Sequence, residues 1–123
     1  MNDVQVIIEG KIVEREKMKR AVVIEANGTI RRANVDYDEI KREIGGWLEG
    51  LDLRDTRQYS FINEDGISLG LPRNDVATVL CFKNNIGLRP DDYIKGNIVI
   101  VGPIDSDGDF TDVSEEFALE LGV

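Results

Sequence analysis

The sequence predicts an α+β domain: a mostly antiparallel β-sheet built from β-hairpins and covered by two or three short helices. Three observations carry this expectation. Short alternating or β-branched runs recur with turn residues between them. Two segments show helical spacing behind an N-capping residue, and the run Asn97–Val101 is apolar along nearly its whole length, as a strand buried on both faces is.

The elements follow in order. Val4, Val6 and Ile8 alternate with Gln5, Ile7 and Glu9 up to Gly10, and Lys11–Glu14 can return beside them as a short strand. Residues 1–17 are thus read as an N-terminal extension joined to the same domain, with 18–123 as its body. Ala21–Ile24 and a return to about Val35 flank Asn27-Gly28, a dipeptide that supplies the positive φ angles of a type I′ hairpin. Asp36 with Glu39 three residues on is a capping-box pattern, and Tyr37, Ile40 and Ile44 share one helical face. Gly45-Gly46 ends that helix near Ile44, since each glycine costs about 1 kcal/mol relative to alanine, and Trp47–Leu51 leaves it extended. Arg57–Asn63 reads as a strand with Tyr59 and Phe61 on one face. Glu64-Asp65-Gly66 reads as a turn and Ile67–Leu71 as the returning strand, stopped by Pro72. Asn74 is the N-cap of a short helix through Val76, Ala77, Val79, Leu80 and Phe82. Asn84, Asn85 and Gly87 form a loop, and Pro90-Asp91-Asp92 begins one helical turn. Asn97–Val101 is the central strand, Pro103 ends it, Asp105–Gly108 turns, and Glu115–Leu121 is a terminal amphipathic helix.

The composition then removes most function classes. A chain of 123 residues holds one compact domain. Its 15 basic and 24 acidic residues give a net charge of -9, which argues against a nucleic-acid backbone as partner. With no histidine, every His-dependent triad and His-ligated zinc site is excluded. The single cysteine, Cys81, lies beside Phe82 in an apolar helical stretch and reads as a buried structural thiol. No apolar run is long enough to span a membrane and none resembles a signal peptide, so a soluble, cytosolic protein is expected. There is no glycine-rich phosphate loop, and the carboxylate pairs Asp52/Asp55, Asp91/Asp92 and Glu115/Glu116 have no spacing that sets them across a cleft. Neither catalysis nor a cofactor is expected.

The negative charge is concentrated at the C-terminal end. Residues 101–123 contain no basic residue and seven acidic ones, Asp105, Asp107, Asp109, Asp112, Glu115, Glu116 and Glu120. They form either a solvated surface or a surface that meets a basic partner or imitates a row of phosphates. Counted from Asp105, the carboxylates Asp105, Asp107, Asp109 and Glu116 fall at positions 1, 3, 5 and 12 of a calcium loop. Phe110, however, stands where that loop needs glycine, and a strand precedes it. The competing reading is a hairpin turn at Asp107-Gly108, with Asp112 or Ser114 capping the last helix.

Six motifs in order carry a resemblance: Val22–Glu25, Ile44-Gly45-Gly46-Trp47-Leu48-Glu49, Asn63-Glu64-Asp65-Gly66, Gly70-Leu71-Pro72-Arg73-Asn74, Lys95–Gly102 and Asp107-Gly108-Asp109-Phe110. From about Met18 to Phe110 the chain resembles a family of small domains from tailed phages, prophages and mobile elements, catalogued as the domain of unknown function DUF3846. Residues 1–17 lie outside the pattern, and Trp47 stands where the family usually has a smaller residue. The family has no activity to transfer. The resemblance implies a context, that of an accessory phage gene product acting on the host cell or its defences.

Asn63, Glu64, Arg73 and Asn74 sit at hairpin and helix ends, where side chains converge on ligands or else bond their own backbone. Three functions follow. The first is a non-catalytic protein that binds and neutralises a host protein, a component of anti-phage defence. The second is an oligomeric sponge for a small signalling nucleotide, with Arg73 and Arg57 for phosphate, Asn63 and Asn74 for base or ribose edges, and Trp47 or Tyr59 for stacking. The third is a structural or regulatory accessory domain with no defence role, a homodimer joined by an exposed sheet edge. The first two are separated by whether an aromatic ring and an arginine line one cavity.

Overall fold

The computed structural model describes residues 5–8, 11–14, 18–84 and 92–123. Along the chain these form β1 (Gln5–Ile8), β2 (Lys11–Glu14), β3 (Lys19–Ile24), β4 (Ile30–Val35), α1 (Tyr37–Ile44), β5 (Leu48–Leu53), a 3-10 turn (Arg54–Thr56), β6 (Gln58–Asn63), α2 (Asp75–Lys83), β7 (Ile98–Val101) and α3 (Glu115–Glu120). The loop read at Asn85 and Gly87 and the helical turn read from Pro90 lie outside the described residues.

The apolar runs fix the centre of the sheet. Ala21–Ile24 of β3 and all of β7 are buried at every residue, which requires a neighbour on each side and cover on each face. Accordingly, five strands form one antiparallel sheet in the order β4-β3-β7-β6-β5, with β3 and β7 inside it. Alternation sends Val22, Ile24, Ile98 and Ile100 to one face, against Ala77 and Cys81 of α2 and Phe117 and Ala118 of α3. Ala21, Val23, Val99 and Val101 go to the other, against Ile40 and Ile44 of α1 and the rings of Phe61 and Phe110. The sheet is thus covered on both sides. Arg31 and Arg32, adjacent on β4, divide in the same way: Arg31 reaches Glu25 and Glu43, whereas Arg32 forks onto Glu115 of α3.

Capping settled the helix ends as the sequence indicates. Asp36 accepts the Glu39 N–H at 2.8 Å, and Gly45, at φ 79°, closes α1. The reciprocal half of the capping box is absent from this geometry, because the Glu39 carboxylate pairs with Arg42. Asn74 caps α2 and Ser114 caps α3, while Asp112 bonds to Arg20 instead.

Two expectations are corrected. The β3–β4 connection is no type I′ turn: of its residues only Gly28 has positive φ, at 94°. The Gly28 N–H bonds to the Glu25 carbonyl and the Glu25 N–H to the Thr29 carbonyl, giving a three-residue loop closed by a left-handed glycine. Ile67–Leu71 is no strand either. Residues 64–70 form successive turns, with Leu69 N–H bonded to Asp65 and Gly70 N–H to Ile67. Because β6 already has β5 on one side and β7 on the other, a strand returning from it has no free edge to join.

Register defines two ends of the sheet. Ile24 pairs with Ile30 and Ile98, and Leu48 with Asn63; these positions mark the head. Lys19 pairs with Val35, Leu53 with Gln58, and Tyr59 with Val101; these mark the foot.

Candidate functional site

The head gathers segments that are distant in sequence: the 25–29 loop, the end of α1, the 64–73 turns, the start of α2, and the approach to β7. Three asparagines lock them together. Asn74, fully buried, donates to the carbonyls of Ile24 and Gly96 at 3.0 and 2.9 Å and accepts the Ala77 N–H at 3.0 Å. Asn63, also buried, donates to the Ile44 carbonyl and accepts from the Asp65 N–H. Asn97 donates to the Glu43 carbonyl and accepts from the Ala26 N–H. Each amide therefore holds two or more loops at a fixed spacing. Gly46 fits this arrangement because a Cβ there would stand 2.8 Å from Asn63 Nδ2.

On this braced frame three large apolar residues face outward. Trp47 is 73% exposed, Ile67 80% and Leu69 61%. Trp47 and the turns are joined directly, the Glu64 N–H bonding to the Trp47 carbonyl at 2.9 Å. Alongside, Arg73 bridges to Lys95 across two extended segments, and its guanidinium lies 3.6 Å from the centre of the Tyr93 ring. Arg73 also pairs with Asp75 at 3.1 Å. A hollow of ≈ 320 Å³ opens beside Trp47, lined by Lys41 and Gly46 as well.

The structure thus brings Trp47, Asn63, Glu64, Arg73 and Asn74 to one end. Within that group Asn63 and Asn74 have their amides engaged by backbone, whereas Trp47, Glu64 and Arg73 face outward. Trp47 is on the surface, because the strand it enters lies at the sheet edge. Arg57 and Tyr59 are elsewhere, towards the foot. Arg57 closes the 3-10 turn with φ 62° and lines a polar hollow of ≈ 380 Å³ with Asp55, Asn84, Glu116 and Glu120. Tyr59 packs edge-on against Phe61 and lays its hydroxyl over Gly50, filling the place of that residue's missing side chain.

The acidic segment also lies towards the foot, and there it is divided. Asp112 pairs with Arg20 at 3.4 Å, and Glu115 holds Arg32 through two bonds of 2.7 and 2.8 Å, which lowers the Glu115 carboxyl below the ordinary glutamate range. Asp105, Asp107 and Asp109 form an exposed turn in which Asp105 Oδ1 accepts the N–H groups of Asp107 and Asp109. The turn geometry gives the calcium reading no support. Among the described residues no three carboxylates converge on a point where a metal could sit, and Phe110, at the bend position, is buried 4.8 Å from the Tyr37 ring. Cys81 is fully buried, and burial pushes its thiol up to about 12, which leaves it inert as a nucleophile.

Sequence reasoning missed Asn97, Ile67, Leu69, Tyr93 and Lys95. A polar residue placed where a wholly apolar strand begins was the signal for Asn97; nothing in the pattern of the others marks them as exposed.

Fold and site define a small α+β domain whose head carries braced loops with an apolar surface. The match to a family model is extensive: residues 18–122 fit the Domain of unknown function (DUF3846), and the chain belongs to that family. Searches of curated proteins and of solved structures gave no match. Among the described residues no helix is long and apolar enough to cross a membrane.

Proposed function

We propose that this chain is a non-catalytic accessory protein of a phage or mobile element that binds and neutralises a host protein, a component of anti-phage defence in the host cytosol, through its head. The observation that carries this reading is the exposure of Trp47, Ile67 and Leu69 on loops held by buried asparagine bonds. Large apolar groups held in water are unfavourable unless a partner covers them, and tryptophan is the residue most enriched among energetic anchors of interfaces. Pre-ordered loops lose little conformational entropy on binding, which favours a tight complex. The asparagine amides of the head are engaged by its own backbone, which supports a binding surface over a catalytic one. The host context comes from the resemblance to phage-borne domains.

The test is capture from host lysate by the tagged full chain, with Trp47→Ala and Ile67→Ser, Leu69→Ser variants checked for fold by circular dichroism. A stoichiometric host protein retained by the parent and lost by both folded variants is the expected result. Retention by both variants would remove the head as the interface.

A second reading, sequestration of a signalling nucleotide, has one specific observation in its favour. Arg73 stacks on Tyr93 with Lys95 beside it, a pairing of cations and an aromatic face suited to a phosphorylated ligand. Against it, the hollow beside Trp47 holds no arginine and lies at the C-terminal, electronegative end of α1. Native mass spectrometry with a panel of cyclic and adenosine-derived nucleotides decides it: a stoichiometric mass shift abolished by Arg73→Ala would replace the first reading.

A further inference from the structure

Among the described residues the hairpin β1–β2 pairs only with itself, in the register Gln5↔Glu14, Val6↔Val13, Ile7↔Ile12 and Ile8↔Lys11. Two strands alone are marginal in water; a third strand or a packed face is needed for stability. The register sets a valine pair and an isoleucine pair at adjacent positions of the ribbon. β1, Gln-Val-Ile-Ile, contains no charge, so its outer edge has none of the usual guards against strand pairing. The hairpin also lies outside the residues that match the family, so it is an addition whose partner the family domain does not define.

The five-stranded sheet has two outer edges, and they differ. On β5, Glu49 and Asp52 are exposed and make no ion pair among the described residues, so they guard that edge. On β4 the charges are drawn off the edge: Arg31 onto Glu25 and Glu43 on one face, Arg32 onto Glu115 on the other. What remains along β4 is a row of backbone donors and acceptors beside the small Ala33, open among the described residues. The hairpin is tethered to β3, whose own edges are filled by β4 and β7. Between Glu14 and Lys19 the tether has a reach on the order of 15 Å, and the neighbouring β4 edge lies one strand spacing, about 4.8 Å, from β3.

We propose that the partner of this hairpin is a second copy of the chain: β1 of each protomer adds to the β4 edge of the other, giving a two-fold dimer with reciprocally exchanged arms. Two unguarded edges on one chain, one on a tethered arm and one beside its anchor, meet the requirement of a two-fold contact that each surface find its complement on the other copy. The dimer leaves the head, with Trp47, outside the interface.

Native mass spectrometry and light scattering of the full chain test this. The expected species is twice the 13.8 kDa chain mass. Val6→Pro and Ile7→Pro, made separately because only one of the two presents its N–H to the outer edge, should between them convert the dimer to monomer in at least one case. Asn34→Lys, which places a charge back on the exposed β4 edge, should weaken the dimer without touching the hairpin, and far-UV circular dichroism confirms that each variant is folded. A monomeric parent chain would overturn the proposal, as would a dimer that survives all three substitutions.

Discussion

Asn74 shows how a residue type that suits a ligand site can be committed to the fold instead. Its amide satisfies two carbonyls and one N–H, and its own carbonyl accepts from both the N–H and the hydroxyl of Thr78. Replacing it by alanine leaves two carbonyls without a donor in a buried place and removes the cap of α2. An unmet buried group costs roughly 1–3 kcal/mol and a lost cap about 1 kcal/mol, so Asn74→Ala should destabilise the chain by about 3 kcal/mol. Asn63→Ala, which releases one longer bond of 3.3 Å and one turn contact, should cost clearly less. Urea unfolding measures both as a fall in midpoint at unchanged slope. A folded Asn74→Ala protein of parental stability would return this residue to the list of ligand groups. Gly102 belongs with it: a Cβ there would overlap the Asp112 carbonyl, and backbone cannot be moved aside as a side chain can.

Among the elements, α3 is held from outside by charge, as α1 is through Glu43 on Arg31. Six residues are too few for a stable helix on their own, and α3 stays in place through Phe117 and Ala118 in the core and Glu115 on Arg32, which also reaches the Val123 carbonyl. Because the Arg32 bond lowers the Glu115 carboxyl in the folded chain, the folded state binds that proton less readily than the unfolded one. The contribution is therefore present above the ordinary glutamate value of 4.5 and is lost as pH falls through the lowered value. Glu115→Gln should lower the melting temperature at neutral pH, by little because the pair is exposed, and this deficit should close as pH falls below 4.5, so that the variant has the shallower acid limb. An identical acid limb in parent and variant would show that the pair contributes nothing. Helices such as these were legible because a cap is a local chemical event: Asp36, Asn74, Ser114 and Gly45 announce themselves within four residues. Residues 64–70 were not, because whether Ile67–Leu71 forms a strand depends on a free edge of β6, and β7, more than thirty residues later, occupies it. The exposure of Trp47 depends on distant chain in the same way, being decided by what lies opposite an edge strand.

For the whole molecule, the sheet separates two surfaces of different character: apolar loops at the head, and towards the foot the carboxylates of the C-terminal segment. The motifs that carry the family resemblance fall mostly at the head, which places that surface, and not the acidic one, at the centre of the functional reading. The two are separable by substitution. Changing Asp105, Asp107 and Asp109 to asparagine and Glu116 to glutamine removes four negative charges from a chain of net charge -9. The Asp105 turn should survive, because asparagine keeps the Oδ1 that accepts from the N–H groups of residues 107 and 109. Relief of self-repulsion should hold the melting temperature at or above the parental value in low salt, and the stabilisation that added salt gives the parent by screening should shrink. Millimolar calcium should leave both melting temperatures unmoved, since the carboxylates do not converge. In the capture experiment the neutralised chain should retain whatever the parent retains. If it stays folded yet loses its partner, the acidic segment is the recognition surface, and a basic or nucleic-acid-binding host protein becomes the partner to seek.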